Sequence, residues 1–225
     1  MMKNSRQGYL DILRGFAVIW MIIFHASYDL KILGLVNWDF SQGFWYAFPR
    51  FIAFTFLYCV GISLYLSHSP RVNWANFKKR TLKLALASFG VSLVSYLFNP
   101  GQWIYFGTLH CILAGSLIGM LFIGKKTLII IFMLGIIYLQ YIAGFDIRWV
   151  SQTIQKPSLD FIPIYPWFWV ILAGMFSAPY LSKNRQICDI RVPHFLSFLS
   201  VNSLKIYLIH QPLIFGTLWL VKALI

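Results

Sequence analysis

The sequence predicts an all-α integral membrane protein of about seven transmembrane helices, with a cytoplasmic N-terminus and an extracytoplasmic C-terminus. Three observations lead there. Of 225 residues, 59% are apolar and only 11% charged, and the mean hydropathy is +0.71; a soluble domain carries about 25% charged residues. The apolar stretches run close to the ~20 residues that cross a bilayer as a helix, without the alternation of a membrane barrel. Basic residues recur in every second loop. The chain 1–225 reads as a single polytopic domain of the cell (inner, cytoplasmic) membrane, with the lipid bilayer as its first partner.

The spans fall at 9–30, 44–66, 79–98, 104–123, 127–144, 162–181 and 198–223. The first follows MMKNSRQGYLD, which has no small-residue cleavage site, so it reads as a retained helix. Lys and Arg favour cytoplasmic loops. They stand at Lys3 and Arg6, at Arg71, Lys78, Lys79 and Arg80, at Lys125 and Lys126, and at Lys183, Arg185 and Arg191. The intervening connections hold Lys31, then none, then Arg148 and Lys156, and the last segment ends with Lys222. Topogenic loop charge thus accounts for the net charge of +13, and no nucleic-acid partner is expected. Cys59, Cys111 and Cys188 form no CxxC or other metal-ligand spacing, so neither a disulfide nor a metal site is expected.

The first span is the most informative. Its apolar run YLDILRGFAVIWMIIFHASYDL carries Asp11, Arg14, His25 and Asp29. At about 100° per residue, Arg14, His25 and Asp29 stand roughly 300°, 320° and 0° around from Asp11, within a sector about 60° wide. A charge at the bilayer centre costs at least about 2.5 kcal/mol. The stripe therefore faces protein, water or substrate, and intramembrane ionisable groups point to function. Asp29, at i+4 from His25, is placed to hold that imidazole in one tautomer, the base-orienter logic of catalytic dyads; the alternative is a pair that merely ties helices together. Asp11 and Arg14, at i and i+3, pair locally or snorkel to the interface.

The remaining candidates take their depth from the topology. Arg50 follows Pro49, which loosens a helix, and suits a carbonyl or anionic group, or else an interfacial position among Trp45, Tyr46 and Phe51. His110 in GTLHCILAG and His210 in YLIHQPLIFG fall in the outer halves of the fourth and seventh spans. No paired-histidine spacing on facing helices is visible, so no haem is expected. Asp160 and Trp167 open the sixth span, as groups for a polar acceptor or as a helix cap and an interfacial anchor. Lys78, Lys79 and Arg80 are suited to phosphates, although no Walker or GxGxxG loop is present. Gly115 and Gly119 offer a small-residue face that leaves a homo-oligomer open.

These residues carry a resemblance. Leu10-Asp11-Ile12-Leu13-Arg14-Gly15-Phe16-Ala17 and the run to Phe24-His25 resemble the opening motif of the acyltransferase-3 superfamily. The chain is more closely similar to bacterial proteins related to the catalytic domain of heparan-α-glucosaminide N-acetyltransferase. The similarity extends through Phe106-Gly107-Thr108-Leu109-His110, Asp160-Phe161-Ile162-Pro163, Pro166-Trp167-Phe168 and Tyr207-Leu208-Ile209-His210-Gln211-Pro212. It implies transfer of an acetyl or other acyl group from cytoplasmic acetyl-CoA or another acyl-CoA to a hydroxyl or amine, in a carbohydrate acceptor, on the other side. It also implies Arg14 as a functional Arg and His25 as the catalytic His. Two departures stand out: residues 31–44 lack the loop histidine of the eukaryotic enzyme, and the chain is shorter than the ten-helix acyltransferases.

On this reading His25, Asp29, Arg50, His110 and His210 carry catalysis. Asp11, Arg14, Lys78, Lys79 and Arg80 meet the donor, and Asp160 and Trp167 the acceptor. The alternative is a channel or proton-coupled transporter using the same polar stripe, although no internal repeat of the transporter kind is visible.

Overall fold

A computed structural model describes residues 7–69, 71–145, 158–188 and 190–224. Lys3, Arg6, Arg148 and Lys156, four of the loop charges counted above, lie outside the described residues. The helices are α1 (Gly8–Ile32), α2 (Gly43–His68), α3 (Trp74–Phe98), α4 (Thr108–Gly119), α5 (Lys126–Ile137), α6 (Ile164–Lys183), α7 (Arg185–Cys188), α8 (His194–Val201) and α9 (Ser203–Leu224). A 3-10 turn, Met120–Phe122, extends α4, and a π turn, Tyr138–Ile142, extends α5. Among the described residues there is no strand; one isolated parallel bridge joins Phe106 to Phe161.

Five helices, α1, α2, α3, α6 and α9, are long and apolar enough to cross a membrane. The stretches expected as the fourth and fifth spans form the shorter apolar helices Thr108–Phe122 and Lys126–Ile142. Two boundaries depart from the sequence reading for local reasons. α3 starts five residues early because the Asn73 side chain accepts the Asn76 N–H at 3.0 Å, supplying an N-cap ahead of the apolar run. The last stretch is broken at Asn202, whose φ of −97° and ψ of 11° leave the helix. Its amide Nδ2 donates to the Phe198 carbonyl at 3.0 Å.

The chain forms two compact units, one of residues 1–56 with 182–225 and one of residues 57–181. In the first, α1 packs on α8 and α9. Glycine permits the approach to α8: a Cβ at Gly15 would stand 2.9 Å from the Leu196 carbonyl oxygen. Ala17, Val18, Met21, Leu196 and Leu199 are buried. α1 ends in a Schellman motif, in which Gly34 takes φ 71° while its N–H reaches the Lys31 carbonyl and the Leu35 N–H reaches that of Leu30. Lys222 Nζ donates to the Leu33 carbonyl at 2.6 Å, a cation at a helix C-terminus, where the dipole favours it.

In the second unit α2 crosses α6 at backbone contact. A Cβ at Gly61 would overlap the Ile171 carbonyl oxygen, and one at Gly174 would overlap that of Tyr58. Leu57, Ile62, Leu64, Val170, Ile171, Leu172 and Met175 are fully buried. The Tyr58 hydroxyl donates to Ser177 Oγ at 2.7 Å. Gly115 and Gly119, the small face that left an oligomer open, meet the Ile171 and Leu64 side chains of this same chain.

Candidate functional site

The polar stripe of α1 meets α9 inside the first unit. A buried carboxylate has to find hydrogen-bond donors, and Asp29, with no exposed surface, finds one on the other helix. Gln211 Nε2 donates to its Oδ1 at 2.8 Å. Asp29 Oδ2 and Gln211 Oε1 are buried without a hydrogen-bond partner. The sequence reading paired Asp29 with His25 along one helix; here Gln211 takes the carboxylate, and the His25 ring forms no hydrogen bond among the described residues.

His25 is placed by packing. Its ring stands edge-on to that of His210, with centroids 4.7 Å apart and planes at 65°, and 5.5 Å from that of Phe24. No facing histidine pair was visible in the sequence, because spacing along a chain does not show which helices become neighbours; α1 and α9 make one. His210 is 7% exposed. Its Nδ1 lies 2.8 Å from the Tyr207 carbonyl oxygen, and its Nε2 is buried with no partner. A carbonyl only accepts, so Nδ1 carries the hydrogen and Nε2 the lone pair. Pro212, two residues on, lies inside α9 and supplies no N–H to the helix ladder.

A run of ring contacts reaches this pair from the α1–α2 connection: Trp38 stacks on Trp45 at 5.1 Å, Trp45 meets Phe40 at 4.9 Å, and Phe40 meets Phe24 at 5.9 Å. At the other end of α1, Ser200 of α8 donates its hydroxyl to Asp11 Oδ1 at 2.7 Å, both residues being buried. Arg14 is half-buried one turn on. Arg50 is not brought to the histidines. It is exposed on α2, donates to the Tyr46 carbonyl, and lies with its guanidinium carbon 3.5 Å from the centre of the Tyr46 ring.

His110 and Asp160 belong to the second unit, where both act on the start of α4. The Gly107 N–H donates to His110 Nδ1 at 3.2 Å, so the hydrogen of His110 is on Nε2, which donates to Ser92 Oγ at 3.0 Å. Ser92 Oγ in turn donates to the Ile104 carbonyl at 2.7 Å. Asp160 Oδ2 accepts the Thr108 N–H at 2.7 Å and its Oδ1 accepts the Thr108 hydroxyl at 3.3 Å. An anion at a helix N-terminus is stabilising, so Asp160 caps α4 and not its own sixth span. Trp167 is half-buried in the first turns of α6; Lys78 and Lys79 are exposed and Arg80 half-buried on α3. Among the described residues no group of three or more His, Cys, Asp or Glu is arranged to hold a metal ion.

Gln211, Ser200 and Ser92 were not assigned roles from sequence. Gln211 had a signal available, a polar amide directly after an intramembrane histidine and before a proline; the two serines had none.

Comparison with curated proteins and with solved structures finds no match. A family model does match: the catalytic domain described as heparan-alpha-glucosaminide N-acetyltransferase, catalytic, over residues 6–212. That span takes in α1 with His25 and Asp29 and ends one residue beyond Gln211, at the proline of α9. The description is that of an acetyltransferase, and this chain belongs to the heparan-α-glucosaminide N-acetyltransferase catalytic-domain family.

Proposed function

We propose that the chain is a multi-pass membrane acyltransferase that moves an acetyl or other acyl group from cytoplasmic acyl-CoA to a hydroxyl or amine of an extracytoplasmic sugar. The observation that carries this is the buried polar cluster of α1 and α9: His25 against His210, with Asp29 held by Gln211 beside them. Acyl transfer needs a group to take the acceptor's proton and donors for the charge that grows on the acyl oxygen. Two imidazoles in contact supply both kinds of group.

The chain crosses the bilayer seven times in this reading, with α4 and α5, each extended by its tight or wide turn, as the two short crossings. The N-terminus is cytoplasmic. The alternation of the loop charges supports that orientation, and the common direction of α1 and α9, in which His25 meets His210 and Leu33 meets Lys222, accords with an odd number of crossings. The donor's phosphates call for cations: in the first unit Arg14 is such a group, and in the second the exposed Lys78 and Lys79 with Arg80 on α3 are. Asp11, tied to Ser200, fixes the turn that carries Arg14. His110 and Asp160 shape the start of α4; Trp167, half-buried in the second unit, and Arg50, exposed in the first, are each candidates to meet the acceptor.

The test uses purified full-length protein in nanodiscs with labelled acetyl-CoA and glucosamine as probe. Unaltered protein transfers label; His25→Ala loses transfer while its thermal unfolding is unchanged. Full transfer by His25→Ala overturns the assignment. Flux of protons or solutes in liposomes without any acyl donor would favour the channel or transporter reading instead.

A further inference from the structure

We propose that His210, and not His25, is the catalytic residue that takes the proton from the attacking acceptor group; the inference rests on the acyltransferase reading above. A general base needs a lone pair on a defined nitrogen, and that nitrogen must be unoccupied before substrate arrives. Of the five histidines, His210 meets both conditions. The Tyr207 carbonyl, 2.8 Å from Nδ1, fixes the hydrogen there and leaves the lone pair on Nε2. The carbonyl plays the part that a carboxylate plays in a Ser-His-Asp triad, where the orienting group holds the tautomer.

Nε2 itself is buried and has no partner. Nearly all buried polar atoms in folded proteins are paired, and an exception calls for an explanation. The other histidines differ. His110 uses both nitrogens, one for the Gly107 N–H and one for Ser92. His68 accepts the Asn73 N–H at 3.3 Å through Nδ1. His25 has no hydrogen bond to set its tautomer. His194 opens the exposed start of α8.

Two further acceptors on α1 and α9 are in the same state as Nε2. Asp29 Oδ2 and Gln211 Oε1 are also buried and unpartnered, and all three atoms are acceptors. A ligand that satisfies Nε2 therefore brings a hydrogen, as the hydroxyl or amine of an acyl acceptor does. The titratable groups in contact with His210 are His25 on α1 and Tyr207 on its own helix, with ring centroids 4.7 and 5.7 Å away, and Asp29 is bonded to the next residue, Gln211.

In the step, the acceptor's oxygen or nitrogen forms a bond to the thioester carbonyl carbon while its proton passes to His210 Nε2. Collapse of the tetrahedral adduct breaks the carbon–sulfur bond. The His210 imidazolium then gives its proton to the departing thiolate, so the products are the acylated acceptor and coenzyme A as its free thiol. His210 ends neutral, with its hydrogen on Nδ1 as before.

His210→Asn tests the role against a merely structural one, because the Asn amide nitrogen replaces Nδ1 as donor to the Tyr207 carbonyl and nothing replaces Nε2. His210→Gln, which retains a polar atom near the Nε2 position, is the second variant should Asn fail to fold. Both are assayed as full-length chains in nanodiscs with labelled acetyl-CoA, using glucosamine and methyl glucoside as probe acceptors. The expected result is a fall in kcat of about 100-fold or more, with KM for acetyl-CoA little changed and the acid limb of the pH–rate profile abolished. Transfer within about threefold of the unaltered protein, or an acid limb that persists, overturns the role of His210 and leaves the acyltransferase reading intact. Absence of transfer by the unaltered protein to either probe, together with no His25-dependent release of coenzyme A, overturns that reading and this inference with it.

Discussion

Alanine at Gly61 is expected to destabilise the crossing of α2 and α6, and the size of the effect follows from the contact. Its Cβ would overlap the Ile171 carbonyl oxygen and would stand 2.9 Å from the carbonyl carbon and 3.0 Å from the Gly174 Cα. Ordinary carbon contacts begin near 3.5 Å, so the helices must part by roughly half an ångström or more. Every obstructing atom is backbone, and no rotamer change relieves it. Overpacking of this kind costs about 1–3 kcal/mol. For a chain of this length 1 kcal/mol moves Tm by about 2–4 °C, so a fall of roughly 2–12 °C is expected. Gly90→Ala is the matched control. It lies inside α3 with nothing within 4 Å of an added Cβ, and there alanine is favoured over glycine by ~1 kcal/mol in a helix. The assay is thermal unfolding of the purified chain in detergent, followed by tryptophan fluorescence. The reasoning is refuted if Gly61→Ala unfolds at the temperature of the unaltered protein, or if Gly90→Ala is the more damaging of the two.

Ser200→Ala removes the donor to a buried carboxylate oxygen of Asp11 and is expected to cost about 1.5–3 kcal/mol; a double-mutant cycle with Asp11→Ala should return most of that as coupling, and additivity would refute the tie. Gln211→Ala strips Asp29 of its hydrogen bond and should lower stability by about 2 kcal/mol as well as slowing acetyl transfer; equal Tm values for the two proteins would count against it. In the exposed loop before α2, the Ser41 hydroxyl and N–H donate to Asp39 Oδ1 at 2.6 and 2.8 Å and hold its carboxyl below the usual carboxylate range. Because the folded value is the depressed one, the loop bonds are fully present above the unfolded value of about 3.9 and are lost as pH falls through the folded one. A carbon NMR titration of Asp39 should show a midpoint below that of free aspartate, moved part of the way back by Ser41→Ala, which removes the hydroxyl and keeps the N–H; a midpoint at or above the free value refutes the assignment.

How much of this was legible in the sequence depends on the reach of each interaction. The helical character and the five long helices follow from composition and run length, which are local. The polar stripe of α1 followed from the 100° repeat, because a helix fixes which of its own side chains share a face. Partner choice across helices did not follow. The i+4 spacing made His25 the obvious neighbour of Asp29, yet Gln211, 182 residues away, takes the carboxylate; periodicity along one helix contains no information about what stands opposite. The same limit hid the His25–His210 contact. His110 and Asp160 read as site residues because intramembrane polar groups are costly unless used. Their use is the hydrogen bonding of the α4 N-terminus, which the GTLH and DFIP segments achieve only once the chain has brought residues 108 and 160 together.

Polar ties fasten α1 and its C-cap to the C-terminal helices, among them Asp11 to Ser200, Asp29 to Gln211, and the Leu33 carbonyl to Lys222. From Asp11 to the C-cap Leu33 they span 22 residue steps, about 33 Å at 1.5 Å per residue. Packing between two apolar helices tolerates slippage and rotation, whereas ties at both ends and near one histidine do not. α1 and the C-terminal segment therefore behave as a single gauge block, on which the separation of His25 from His210 is a machined dimension. Any movement that admits or releases a bulky ligand in this unit has to come from the other segments, with this block as the fixed jaw.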